Sequence, residues 1–278
     1  MRALALLAAA TLSAETAEEI VAKLTANLER AAAERRQFVY QQSVRSRMIR
    51  TNGKVARQET RLYSVTPTPS ATEKKLLSLD GEVHKGAQIV KYTDPKTESS
   101  GMDIDGSLIR SLTDELVDDK DSRDGIPKSL FPLGSDALKR YDFQLRETRE
   151  QKGRPTHHLT FSPKKGVEDA NWKGDLYVDA AEYQPVQIAT DLTFKMPLLV
   201  RAVFGTNIRQ TGFAVSYQCV AENVWFPVSY GSEFRLDVLF GYKRVITMAL
   251  TSTNFQRTTA GSTISFPNTG TTTLVPNL

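Results

Sequence analysis

Three short groupings in this chain have residue types that do chemistry elsewhere, and none of them completes a site. His157-His158 offers two imidazoles, the commonest neutral metal ligands. On an alternating strand pattern, neighbouring side chains point to opposite faces, so this pair does not jointly chelate one ion. Asp119-Lys120-Asp121-Ser122-Arg123-Asp124-Gly125 begins like a calcium loop. Arg123 stands where a fifth-position oxygen ligand belongs, and no Glu closes the loop at its last position. Ser162-Pro163-Lys164-Lys165 has the serine–lysine spacing of some acyl-enzymes. Without the companion motifs it reads as a turn after a strand. No GxSxG, HExxH, Walker A or GxGxxG pattern occurs. The chain therefore reads as non-enzymatic, with no cofactor and no metal.

Composition narrows the classes further. The 278 residues are 40% hydrophobic and 24% charged, which is ordinary globular usage. A lone cysteine, Cys219, excludes an internal disulfide and a cysteine-based zinc site. A net charge of +4 is too weak to imply a nucleic-acid partner. No uncharged apolar run reaches the ~18 residues of a membrane helix. Charge is unevenly spread. Residues 30–61 hold nine Lys/Arg against two acids, and residues 94–124 hold ten Asp/Glu against four bases. The two stretches could attract one another or serve different partners. Solvated surface on both is the ordinary outcome.

The first residues look like an address. Met1-Arg2 is a short positive region, residues 3–12 are small and apolar, and Ser13-Ala14 offers a small-residue cleavage point. That is the anatomy of a secretory signal peptide. The expectation is a soluble, exported protein with residues 1–14 removed; a buried N-terminal helix is the alternative. No Cys follows the apolar stretch, so it is not expected to be a lipoprotein.

Elements follow from periodicity. Thr16 and Glu19 form a capping-box pattern ahead of Ile20, Leu24, Leu28 and Ala31, which share one helical stripe. A helix over 15–36 is predicted, with acids at its start and Arg35 and Arg36 at its end. The period then falls to two. Phe38, Tyr40, Val44 and Met48 share one face of a strand over 38–49. Asn52-Gly53 suggests a type I′ turn, and Arg57, Glu59 and Arg61 share a face of the returning strand. Residues 75–79 with Asp80-Gly81 suggest a short strand and turn. Residues 84–138 read as an irregular insertion with helical patterns at 106–117 and near 134–140. From Tyr141, alternation resumes at Tyr141/Phe143/Leu145, His157/Leu159/Phe161, Trp172/Gly174/Leu176/Val178, and onward to Leu250. This spacing argues an antiparallel meander of about eleven strands. Residues 258–278 are Thr/Ser/Gly/Asn/Pro-rich and read as a flexible tail.

One helix cannot cover so much sheet, so the sheet must close or enclose an apolar hollow. The apolar connection containing Met196, Leu198, Leu199 and Phe204 stands out, because polar residues are expected between strands. It is either core or a mouth that touches a membrane or ligand.

These elements resemble the periplasmic lipoprotein-carrier and outer-membrane lipoprotein-sorting superfamily. The capped helix runs into Phe38-Val39-Tyr40-Gln41-Gln42-Ser43. Trp172-Lys173-Gly174-Asp175-Leu176-Tyr177-Val178-Asp179 resembles a characteristic strand, and Glu182-Tyr183-Gln184-Pro185-Val186-Gln187-Ile188 the strand after it. Glu222-Asn223-Val224-Trp225-Phe226-Pro227 and Asn254-Phe255 resemble later ones. The resemblance covers residues 15–257. The acidic stretch at 94–124 and the tail depart from it. It implies a mainly β (α+β) fold, a strongly curved, unclosed antiparallel barrel with an N-terminal helix and short helices plugging the mouth. The implied activity is non-covalent carriage of a lipid, or of a lipoprotein's acyl chains, by a monomer with envelope transport proteins as partners. A signalling domain of the same fold that holds a protein partner is the alternative. Phe38, Tyr40, Val44, Met48, Leu62, Phe143, Leu145, Leu159 and Phe161 are the lining this implies, and core packing explains each equally well. Arg45 and Arg47 could meet a phosphate head group, although a solvated outer face suits them better.

Overall fold

The computed structural model describes residues 15–67, 72–94, 103–118, 139–151, 153–167, 170, 172–192, 207–238 and 242–258. The expected signal segment, the 196–204 connection with Met196, Leu198, Leu199 and Phe204, the calcium-like loop, the 134–138 part of a second helical pattern and the tail beyond 258 lie outside these residues.

Helix α1 spans Ala17–Arg35, and Thr16 caps it. The Thr16 hydroxyl accepts from the Glu19 amide at 3.2 Å, while the Glu19 carboxylate accepts from the Thr16 amide at 2.9 Å. Four strands follow, β1 (Phe38–Arg50), β2 (Val55–Pro67), β3 (Thr72–Lys85) and β4 (Gln88–Tyr92). Helix α2 (Ile104–Asp118) comes next. Then come β5 (Tyr141–Gln151), β6 (Arg154–Pro163), β7 (Trp172–Asp179), β8 (Pro185–Leu192), β9 (Asn207–Ala221), β10 (Val224–Val238) and β11 (Tyr242–Arg257).

All eleven strands form one antiparallel sheet in the order β4-β3-β2-β1-β11-β10-β9-β8-β7-β6-β5. The ends of that order, β4 and β5, do not pair, so the sheet is not closed. Every neighbouring pair is consecutive in sequence except β1 with β11, which brings the two ends of the described fold side by side. Helix α1 packs on both β10 and β5, five places apart in the order, so the sheet must curl around it. Helix α2 packs on β1 and β2.

Register fixes which residues face the hollow. Val44 stands opposite Arg61 and Leu250, and Met48 opposite Arg57 and Ile246. The even-numbered residues of β1 and β11 and the odd-numbered residues of central β2 therefore point inward, where they are buried. Likewise Leu159 stands opposite Leu145 and Leu176, and Ile188 opposite Leu176 and Val215. These inward side chains form one core with Ile20 and Leu24 of α1 and with Leu108, Ile109, Leu112 and Leu116 of α2.

Two turns differ from expectation. The β1–β2 hairpin is not a type I′ turn. Gly53 has φ 78, Asn52 is not at positive φ, and the Gly53 amide donates to the Arg50 carbonyl at 2.9 Å. The extra residue is absorbed by a register shift at Met48/Ile49. Asp80-Gly81 does not turn either. β3 runs through it, and the ring of Tyr92 lies where a Gly81 Cβ would point. The turn falls at Gly86, φ 64, so the segment from 84 contributes the end of β3 and all of β4 before any helix begins.

Candidate ligand-binding face

The concave face has two covers of different chemistry. Beneath α1 it is largely apolar and aromatic. Phe226 contacts Phe38 and Tyr40 edge-on, with ring centroids 5.4 and 5.6 Å apart. Tyr40 stacks on Phe255 at 5.2 Å. Further round the sheet, Trp172 meets Phe213 at 4.8 Å, and Phe161 meets Tyr141 and Phe143.

Polar contacts at the perimeter hold α1 in place. Arg35 is buried and donates to the Trp225 carbonyl at 2.9 Å, and Asn27 donates to the Glu182 carbonyl at 2.6 Å. Glu15 takes Lys23 at 2.5 Å and the Tyr183 hydroxyl at 3.0 Å. Asn27 and Glu15 thus reach the turn between β7 and β8, and its geometry is fixed from within. Asp179 accepts the Ala181 and Glu182 amides at 3.0 and 2.8 Å. Arg154 pairs with Asp179 at 2.5 Å and with Glu182, and Trp225 Nε1 donates to Glu182 at 2.7 Å. Tyr183 sits at φ 49, in the left-handed region that such a tight turn requires.

His157 is part of the same corner. It faces inward, with Thr148 at 2.9 Å from Nδ1 and Glu15 at 3.5 Å from Nε2. Burial pushes its pKa below the usual 6.5, against the pull of Glu15 and Asp179. Lys23 and Tyr183 hold the Glu15 carboxyl below its ordinary range despite partial burial. Burial would raise the Asp179 carboxyl, but Arg154 and the two turn amides outweigh it and hold it low. His158 points the other way, stacked on Tyr177 at 4.6 Å and bonded to Asp175 at 2.7 Å.

Beneath α2 the face is charged. Arg57, Glu59 and Arg61 are buried there, with Tyr92 donating to Glu59 at 2.8 Å and Glu59 lying 2.8 Å from Arg61. Each cation on this side meets an aspartate of the helix or its cap. Arg57 pairs with Asp103 at 2.5 Å, Arg61 with Asp114 at 3.1 Å, and Arg244 of β11 with Asp105 at 3.2 and 3.4 Å. Burial opposes the Arg61 charge, but Glu59, Tyr63 and Asp114 outweigh it and raise its pKa. Asp103 has a second task, since its other oxygen accepts the Gly106 amide at 3.0 Å and caps the helix. A Cβ at Gly106 would lie 2.2 Å from Arg57 Nη1, so only glycine lets this guanidinium rest against the helix. Ser46 and Thr113 share a buried hydrogen bond at 3.2 Å in the same interface.

Of the residues expected as lining, Phe38, Tyr40, Val44, Met48, Leu159 and Phe161 are buried in the shared core, and Phe143 and Leu145 pack half-buried against it on edge strand β5. Leu62 is not among them. The inward register of β2 runs through 57, 59, 61, 63 and 65, so Leu62 faces the convex side. Arg45 and Arg47 are exposed on the convex side as well. Arg57, Arg61 and Arg244 are on the inward face instead. The basic stretch at 30–61 and the acidic one at 94–124, which the sequence left as solvated surface, meet here.

Among the described residues no helix is long and apolar enough to cross a membrane, and no group of three or more His, Cys, Asp or Glu is placed to hold a metal ion.

No family model matches the chain, and no curated protein matches it. Among solved structures it is similar to a LolA superfamily protein from Nitrosomonas europaea, at 12% identity and TM-score 0.34 over 88% of this chain and 95% of that one. It is also similar to an outer membrane lipoprotein-sorting protein domain from Vibrio parahaemolyticus, at 9% identity and TM-score 0.37 over 87% and 95%. A third is MucB in complex with MucA(peri), at 15% identity and TM-score 0.24 over 83% and 94%.

Proposed function

We propose that this chain is an exported, non-enzymatic carrier that holds a lipid, or the acyl chains of a lipoprotein, against the concave face of its open sheet. The observation that carries this reading is the face itself. Its apolar side chains run from Val44 and Met48 on β1 to Leu159, Phe143 and Leu145 on β6 and β5, under two helices among the described residues. An acyl chain exposed to water costs about 0.8 kcal/mol per CH₂, so an apolar hollow holds one without any chemistry. Half-buried Phe143 and Leu145 mark where the apolar face reaches solvent. On this reading the periplasm is the working compartment, and the 196–204 connection is the mouth.

The test is to purify the chain from a bacterial periplasm, extract it for lipid, and weigh it by native mass spectrometry. A bound phospholipid or acyl species is expected. It should be lost in a Phe143→Glu, Leu145→Glu variant that keeps its melting temperature. A lipid-free protein that also ignores added phosphatidylethanolamine/phosphatidylglycerol vesicles would overturn carriage in favour of a domain that binds a protein partner.

A further inference from the structure

The charged interface under α2 is unusual for a permanent seal. Taking ion pairs out of water costs several kcal/mol per ion, and apolar residues of similar size serve at least as well for stability. Here Arg57 is the buried member of its pair, while Arg244 and Asp105 are both partly buried. The side chains of Arg57 and Arg244 are 3% and 16% exposed, against 31% and 20% for their partners Asp103 and Asp105. Asp103 thus reaches in from the solvent side, and the two carboxylates belong to the cap and the first turn of α2.

The two arginines also meet the same end of α2. Arg57 is opposite Met48 on β1, and Arg244 is opposite Arg50, two residues further along the same strand. Two strand spacings and the two-residue offset put their Cα atoms about 12 Å apart on the sheet. Planar guanidiniums suit carboxylate or phosphate oxygens better than any other side chain does. The walls beside them are apolar on one side each, Met48 next to Arg57 and Leu236 next to Arg244, with Glu59 and Arg50 as their charged neighbours. Leu108, Ile109 and Leu112 of α2 complete that surface. A charged end beside an apolar wall is the outline of an amphiphile, not of a free anion.

We infer that Arg57 and Arg244 form a recognition site for the anionic head of a lipid, and that α2 fills this site with Asp103 and Asp105 as an internal substitute for it. The inference rests on the carrier reading and adds a selectivity to it. A cargo that brings its own carboxylate or phosphate replaces the two aspartates. A neutral cargo with the same chain must separate these ion pairs without compensation. Anionic lipid is therefore preferred, and the preference weakens with salt at the solvent-facing edge.

The test is to titrate the full chain with oleate and with monoolein, its uncharged glyceryl ester, each below its micelle threshold, with inorganic phosphate as a third ligand. Oleate is expected to bind at least about tenfold more tightly than monoolein, a difference of about 1.4 kcal/mol, with phosphate alone far weaker than oleate. Arg244→Gln, at the more exposed end of the site, should remove most of that preference, by weakening oleate and by sparing monoolein the separation of the Arg244–Asp105 pair. Asp103→Asn with Asp105→Asn should tighten oleate, and asparagine at 103 still caps the helix. Equal binding of both lipids by the wild type overturns the inference and leaves the carrier reading standing. Phosphate binding as tight as oleate overturns it in favour of a free-anion site. Binding of neither lipid removes the carrier reading and the inference with it. The wild-type comparison needs no variant to fold.

Discussion

The two helices cover one sheet by different means. Helix α1 offers Ile20 and Leu24, both fully buried, to a face of aromatic and aliphatic side chains. Its polar bonds lie at the perimeter, where Lys23, Asn27 and Arg35 reach the β7–β8 turn and the start of β10. Helix α2 also buries an apolar stripe, but it meets the sheet through buried arginines. Apolar burial gives a cover with no competitor in water. An ionic interface gains little net stability once the desolvation of its charges is counted, so another anion can take the partner's place. The comparison teaches that α1 belongs to the frame and α2 to the exchangeable part.

The largest expected effect sharpens that division. Leu24→Ala removes a wholly buried side chain from the frame and should cost about 2–5 kcal/mol of global stability. Leu112→Ala, equally apolar, should cost less in denaturant unfolding and act mainly by speeding hydrogen exchange within α2. Equal global losses would break the division.

A second substitution loosens α2 alone. Gly106→Ala forces a methyl group into the Arg57 guanidinium and the Asp103 carboxylate. Overpacking of this kind costs about 1–3 kcal/mol, offset in part by alanine's better helix propensity. The expected result is faster exchange in α2, with α1 and the β6–β9 core unchanged. Loss of protection in α1 as well would show that the two covers open as one unit.

Much of the frame was legible in the sequence, and the reason is periodicity. The Thr16/Glu19 box, the Ile20/Leu24 stripe and the alternation from Tyr141 to Leu250 each name an element and its buried face, because one side of each is apolar. The region under α2 was not legible for the complementary reason. Arg57, Glu59 and Arg61 alternate correctly, but a charged strand face normally faces water, so Leu62 looked like the inward residue. What turns that strand round is a separate acidic helix. The one available signal was the charge imbalance between 30–61 and 94–124. Strand β4 was missed because its five residues are too few to show a period and its exposed Ile89 hides the inward face.

Acid should give the smallest effect, and it should act on α1. The corner that holds the start of this helix contains His157, Glu15, Lys23, Tyr183 and Asp179. His157 is held neutral below its ordinary 6.5, chiefly by burial. The unfolded chain takes up that proton first as pH falls. The stability His157 contributes is thus complete above about pH 6.5 and is lost progressively below it, through the folded value. Glu15 and Asp179 are depressed carboxylates, so their contribution is complete above their ordinary values of 4.5 and 3.8 and is lost as pH drops further. All three act in the same direction, and His157 acts first. Lowering pH from about 7.5 to about 5.5 should therefore raise hydrogen exchange at the N-terminal turns of α1, once corrected for intrinsic rates, and His157→Gln should abolish that step. Helix α2 packs on β1 and β2, away from this corner, and serves as the internal reference. A step that survives in His157→Gln, or that appears in α2 and not in α1, would place the acid response in the exchangeable cover and undo the division drawn above.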